Sequence, residues 1–373
     1  MVTGKAEIDA TGRRPAGPLR RGWTTGACAA AATKAALTAL LGGDFPDPVT
    51  ITLPKGETPA FALATEKVGE GFAEAGIVKD AGDDPDVTHG AMIMVRVTPA
   101  APGTGIIFRA GDGVGTVTRA GLPIPPGEPA INPVPRAMIT GVVEELCAAH
   151  AVPADYEIAI SVPGGAALAE KTWNPRLGIV GGLSILGTTG VVHPFSCAAW
   201  IHSIHRGIDV ARAAGLDHVL GATGSTSEAA AQRIHALPEI ALLDMGDFAG
   251  GLLKYLRAHP VAKLTIAGGF AKLTKLAQGA LDLHSGRSQV DMGFLLDLAK
   301  AAGLDPAESN RILDANTAQE VLETMRESGI HLAPEVARLA RETALETLRG
   351  APVAVEVIVT ARDGEVLART GFQ

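Results

Sequence analysis

Three short apolar runs end in glycine and lead straight into helix-forming sequence: HVLGATGSTSE at 218–228, IALLDMGDFAG at 240–250 and LTIAGGFAKLT at 264–274. A buried strand that stops at glycine and reopens as a helix leaves backbone N–H groups unpaired and pointing outward. When such turns recur in successive strands of one parallel sheet, they gather at its carboxyl edge, where open α/β sheets place their ligands. From about residue 176 the chain therefore reads as a Rossmann-like α/β domain with a mainly parallel sheet. Helices are expected at 196–214, 226–236, 248–258 and 271–282 and through most of 290–349, with a final strand at 353–361. The turns nominate Gly221, Thr223, Gly224, Ser225, Asp244, Gly268 and Gly269 as a pocket for a nucleotide-sized ligand, an acidic residue after a strand being a usual partner of ribose hydroxyls.

At 373 residues the chain exceeds one ordinary core and reads as two domains. The expected order is a flexible arm at 1–19, a mixed α+β domain at 20–175, the α/β domain at 176–350 and a C-terminal strand at 351–373. The α+β part shows a helix at 24–43, strand-like runs at 49–53, 61–65, 72–79, 91–98 and 106–110, a Pro-rich loop at 122–135, a helix at 136–150 and a strand at 156–162. A net charge of −8 and only 4% aromatic residues argue against a nucleic-acid binder. No apolar stretch reaches the roughly 18 residues of a membrane span and no signal-peptide core opens the chain, so a soluble, cytoplasmic protein is expected. Cys28, Cys147 and Cys197 lack metal-site spacing and read as small core residues.

Four further segments concentrate chemistry. WTTGACAAAA at 23–32 sets Thr24 and Thr25 before an Ala-rich helix, as donors to an anion or as a plain N-cap. IVKDAGDDPDVTHGA at 77–91 crowds Asp80, Asp83, Asp84 and Asp86 beside Lys79 and His89; carboxylates this dense bind a cation, share a proton, grip ligand donors or simply face solvent. In AGDGVGTVTRAGLPIPPGEPAINPVPR at 110–136, Gly113 permits close backbone approach, with Asp112 beside it, while Arg119 and Arg136 suit ligand carboxylates. LGIVGGLSILGTTGVVHPFS at 177–196 carries Gly187, Thr188 and Thr189, either lying against a ligand or forming a tight hairpin.

Taken in order, RRGWTTGACAAAATKAAL, VKDAGDDPDVTHGA, GDGVGTVT, GEPAINPVPR, GGLSILGTTG and GATGSTSE closely resemble the cobalt-precorrin-5B C(1)-methyltransferase family, the CbiD family, over about residues 19–290. The resemblance implies S-adenosylmethionine-dependent methylation of ring carbon C-1 of a contracted tetrapyrrole, giving cobalt-precorrin-6A. One departure is Phe270 and Ala271 in GGFAKLTKLA, where the family has a nearby histidine and another glycine. On this reading the glycine turns, with Gly187, Thr188 and Thr189, hold the cofactor. Arg21, Thr24, Thr25, Lys79, Asp112, Gly113, Arg119, Arg136 and Lys272 serve the anionic tetrapyrrole. Asp80, Asp84 and His89 stand as alternatives for a base, cobalt arrives inside the substrate and no protein metal site is required. A homo-oligomer is compatible with the sequence. Two rival readings are a small-molecule kinase with an N-terminal phosphate loop, although no GxxxxGK[ST] is present, and a non-catalytic tetrapyrrole carrier.

Overall fold

The computed structural model describes residues 18–373, so the arm expected at 1–19 lies outside the described residues up to residue 17. The chain is a mixed α/β protein of two compact units, Met1–Cys197 and Ala198–Gln373. No helix among the described residues is long and apolar enough to cross a membrane.

The first unit begins with β1 (Gly22–Trp23), α1 (Thr25–Leu40), β2 (Val49–Thr50), β3 (Ala60–Phe61), β4 (Thr65–Gly69), β5 (Phe72–Val78) and β6 (Met92–Pro99). It continues with β7 (Ile106–Ala110), β8 (Thr116–Val117), α2 (Pro133–His150), β9 (Tyr156–Ser161), α3 (Gly165–Ala169), β10 (Ile179–Val180) and β11 (Val191–Val192). Its main sheet runs β4-β5-β6-β9-β7, antiparallel except where β7 meets β9. Alternate residues of β9, namely Tyr156, Ile158 and Ile160, are buried, the pattern of a sheet covered on one face. Helix α1 packs on β5, β6 and α2. Every residue from Ala27 to Ala32 is buried, because a helix bearing only small side chains can be enclosed on all sides.

Two sequence expectations change here. The run at 61–65 is not one strand: Ala60–Phe61 pairs with Val49–Thr50, and Thr65–Gly69 forms the sheet edge instead. That edge reads TEKVG and is largely exposed, so charge protects it and no apolar alternation announces it. The boundary expected near residue 176 lies at 197, since β10 pairs with β8 and β11 with β1. Pairing across such sequence distances leaves no local mark.

The second unit comprises α4 (Cys197–Ala213, starting at the junction), β12 (His218–Ala222), α5 (Ser225–His235), β13 (Leu242–Asp244), α6 (Ala249–Ala258), β14 (Lys263–Gly269) and α7 (Phe270–Ala277). Then come α8 (Met292–Ala301), α9 (Asn310–Leu313), α10 (Ala318–Glu327), α11 (Ala333–Leu348), β15 (Ala354–Thr360) and β16 (Val366–Arg369). Its sheet runs β13-β12-β14-β15-β16, parallel throughout except for β16. The C-terminal strand is thus part of this sheet, in register beside β14, with a short edge strand after it. Period-two alternation sorts the two faces. Val219, Leu264, Ile266, Val355 and Val357 join the large core that holds α6, α7 and α11, while Leu220, Ala267 and Ile358 meet Ala231 of α5.

Candidate functional site

The acidic turn of the first unit is locked against the chain that leads into α1. Trp23 N donates to the Asp80 carbonyl at 2.7 Å and Asp83 N to the Arg20 carbonyl at 3.0 Å. A Cβ on Gly22 would stand 2.0 Å from the Ala81 backbone and one on Gly82 2.2 Å from the Arg20 carbonyl oxygen, so both positions are glycine because two backbones touch.

The crowded carboxylates avoid mutual repulsion by taking separate partners. Asp80 is gripped by both terminal nitrogens of the Arg20 guanidinium and accepts from Gly82 N at 2.9 Å. The Arg20 bond and then the Gly82 N–H hold its carboxyl down at about 2. Asp83 accepts from Arg20 N at 2.6 Å. Lys79, only 1% exposed, donates to Asp86 at 2.7 Å, and Thr88 donates to Asp86 through N and Oγ1, both at 2.7 Å. Burial works to raise the Asp86 carboxyl, but Lys79 and the Thr88 bonds outweigh it and keep it below the usual range. Burial likewise pushes the nearby Cys28 thiol up to about 12, so it stays protonated. Asp84 differs: it accepts from Phe195 N at 2.8 Å, yet burial, reinforced by Asp86, holds its carboxyl above the ordinary value. His89 Nδ1 accepts from Ala81 N at 3.1 Å, which puts the ring proton on Nε2.

The start of α1 is closed on itself. Thr24 Oγ1 accepts from Ala27 N at 3.2 Å, Gly26 N donates to the Leu186 carbonyl at 3.0 Å, and Thr25 Oγ1 both donates to that carbonyl and accepts from Leu186 N. The donors expected to meet an anion are therefore taken up inside the unit, and Thr24 and Thr25 are structural at this end of the helix. Gly187, at φ +136°, lies against Thr24, Thr188 is exposed, and Thr189 Oγ1 caps the turn at Val191 with two bonds of 3.2 Å. These three residues belong to the first unit rather than to the sheet edge of the second.

The GDGVG segment behaves in the same way. Gly113, at φ +70°, receives Leu183 N on its carbonyl at 2.9 Å, and Val162 N donates to the Asp112 carbonyl at 2.7 Å. Two chains cross here, and glycine serves that crossing. Arg136 is a pin: it donates to the carbonyls of Ile131 and Pro129 at 2.9 and 3.2 Å, pairs with Glu128 and lies over the Phe108 ring. It borders a cavity of about 440 Å³ that Ile107, Arg109 and Thr116 also line. The side chains of Arg21, Asp112 and Arg119 are exposed.

In the second unit parallel pairing brings the three glycine turns to one edge. Ala222 stands level with Asp244 on one side and Ala267 on the other, and two residues further on each chain come Gly224 and Gly269. These glycines are the N-caps of α5 and α7, and neither cap carries a side-chain hydrogen bond. A Cβ on either would meet nothing within 4 Å, and neither has a φ that demands glycine. By contrast, Gly221 packs on Leu252 and Gly268 on Thr223. Thr223 N donates to the Ala267 carbonyl at 2.9 Å, Ser225 opens α5 exposed, and the Asp244 carbonyl accepts from Trp200 Nε1 at 2.9 Å. Lys272 is paired with Asp247 and also reaches the Leu283 carbonyl at 3.3 Å.

One polar cluster has no mark in the sequence. On the α5 face, Glu356, 0% exposed, accepts from Arg369, from Thr265 at 2.9 Å and from His235, while His218 Nε2 meets Thr265 Oγ1 at 2.9 Å. Burial, then His235, lowers His218 to about 4, and the bonds to Glu356 outweigh its own burial and hold its carboxyl low. Its members lie on five different elements, which no sequence window joins.

A family model described as CbiD matches residues 13–194, and one described as CbiD, C-terminal domain, matches 282–371. The cobalt-precorrin-5B C(1)-methyltransferase of Brucella anthropi is 72% identical over 351 residues, covering 94% of this chain and 95% of that protein. The protein of the same name from Brucella abortus is equally similar over the same lengths. A solved structure of a cobalamin biosynthesis protein, CbiD, from Archaeoglobus fulgidus is 28% identical with a TM-score of 0.39, over 72% of this chain and 83% of that one.

Proposed function

This chain belongs to the CbiD family, and from that premise we propose that it is the methyltransferase that methylates C-1 of cobalt-precorrin-5B in cobalamin biosynthesis. The near end-to-end likeness to relatives named for that reaction carries the reading. We place the enzyme in the cytoplasm, acting on an anionic tetrapyrrole, with neither nucleic acid nor membrane as partner.

S-adenosylmethionine, when bound, supplies the sulfonium methyl group. The place for it is the carboxyl edge of the Rossmann-like second unit, at Gly224, Ser225 and Gly269. Two uncapped helix N-termini stand side by side there, and glycine is kept where neither backbone angle nor internal packing asks for it. A ligand lying directly on the backbone supplies the missing reason. Thr223 and Asp244, at the same edge of the sheet, are assigned to the ribose hydroxyls.

The first unit takes the tetrapyrrole. Of the three candidate bases, Asp80 is a poor proton acceptor, since Arg20 holds it ionised to low pH, and His89 already uses Nδ1 to accept from Ala81. Asp84 has its carboxyl raised above the ordinary value by burial, the direction that suits a general base, and takes the proton lost from the macrocycle. Arg21, Arg119 and the half-open Arg136 are the cations for the acetate and propionate groups.

Neither rival fares well. A phosphate loop at the start of α1 would need donors that Leu186 and Thr24 already occupy, and a carrier needs no general base. Incubation with methyl-labelled S-adenosylmethionine and cobalt-precorrin-5B, cobalt-bound and metal-free, followed by mass spectrometry, tests the proposal. One labelled methyl per macrocycle is expected, and no transfer to either form would sink it.

A further inference from the structure

Four non-glycine residues of the described chain have positive φ: Ala151, Phe195, Ala236 and Arg349. Three of them close helices, Ala151 after α2, Ala236 after α5 and Arg349 after α11, where a left-handed C-cap satisfies the last carbonyls. Phe195, at φ +56°, closes no helix. A bulky side chain there costs on the order of 1 kcal/mol, and glycine or asparagine would adopt the angle more readily. Nor does burial repay it, since the ring is 49% exposed in a protein with few aromatic residues. Yet the left-handed turn has a result: it aims Phe195 N–H at Asp84 Oδ1, 2.8 Å away. The strained backbone serves the carboxylate, while the side chain of the same residue stays open to solvent.

We infer that Phe195 is a positioning residue for the Asp84 carboxylate through its N–H and, through its ring, a contact for the flat face of the tetrapyrrole. The inference rests on the function proposed above. An exposed ring next to a carboxylate suits a conjugated macrocycle, which offers a broad apolar face for stacking. Burial raises the Asp84 carboxyl most; the Phe195 N–H stabilises the ionised form, Asp86 in the same turn raises the carboxyl further, and Lys79, just after β5, lowers it.

Three variants of the full chain separate the two roles, each read by methyl transfer across pH, by titration with cobalt-precorrin-5B and by thermal unfolding. Phe195→Gly keeps the angle and the N–H but removes the ring. Its expected signature is a KM and a dissociation constant for the tetrapyrrole about tenfold higher, an unchanged acid limb of kcat, and stability equal to wild type or greater. Phe195→Leu keeps apolar bulk without a ring and is expected to fall between. Phe195→Pro removes the N–H and cannot take a positive φ, so the acid limb of kcat moves to higher pH by about one unit. Should Phe195→Pro fail to fold, Phe195→Gly decides. Unchanged tetrapyrrole affinity in a folded Phe195→Gly, or loss of its stability with both kinetic constants intact, overturns the inference. A wild-type chain that does not bind the tetrapyrrole overturns the proposed function and this inference with it, whereas wild-type binding with an unaffected variant overturns this inference alone.

Discussion

A Cβ on Gly113 in the first unit would stand 2.0 Å from the Val162 carbonyl oxygen, and one on Gly182 2.2 Å from that of Gly113; one on Gly224 or Gly269 in the second unit would meet nothing within 4 Å. Both regions are glycine-rich. In the first, glycine lets the chain cross itself. In the second, it keeps a sheet edge bare. A glycine motif is therefore evidence of close approach, and only coordinates tell whether the approaching group is the protein itself.

The contrast breaks most visibly at Gly113. Gly113→Ala would drive a methyl into the Val162 carbonyl at a positive φ, so a loss of more than about 3 kcal/mol, or no folded protein at all, is expected in urea unfolding. A wild-type midpoint would show that the crossing tolerates bulk. Asp84→Asn comes next: it keeps the shape of the acidic turn but removes the proton acceptor, and kcat should fall by about 10²-fold or more with cofactor affinity unchanged. Equal losses in kcat and cofactor binding would place both ligands on the first unit.

The third test concerns acid. His218 titrates at about 4 in the fold against 6.5 for the free side chain. A depressed histidine favours the fold while neutral, so its contribution is full above about pH 6.5 and drains away as pH drops toward 4, by up to roughly 3 kcal/mol. Asp80 is held at about 2 and keeps contributing until pH falls below its ordinary 3.8. Hydrogen exchange on peptides from each unit should therefore show the second unit loosening between pH 6.5 and 4 while the Asp80 turn stays protected, and His218→Gln should abolish that slope. Parallel loosening of both units would count against it. Smallest is Gly224→Ala, for which less than about 1 kcal/mol of stability but about tenfold in S-adenosylhomocysteine affinity by calorimetry is expected. Unaltered affinity would remove the cofactor from this edge.

Much of this was visible in the chain beforehand. The α1 helix, the strand–glycine–helix rhythm of residues 218–274 and the gathering of three turns at one edge all follow from period and propensity, which are local. The Thr24 and Thr25 hydroxyls suit a ligand in the sequence because an N-cap and an anion site share one pattern; Thr24 caps Ala27 N within its own helix, and the strap at Leu186 that fills Thr25 is about 160 residues away. Arg136 was nominated because arginine suits carboxylates, and its two backbone carbonyl partners belong to the same loop, whose course no composition specifies. Phe195 left no trace at all, since a backbone angle is not written in residue type.

The sequence alone determined the family, the reaction class and the mixed α/β character, because multi-residue strings, apolar period and glycine punctuation are properties of neighbouring residues. Tertiary structure decided which carboxyls are held low and which is raised, and which glycines remain open. Those depend on burial and on partners brought together by pairings such as Gly22 with Val192 and Ala222 with Ala267, and electrostatic cost and steric room arise only when distant segments meet.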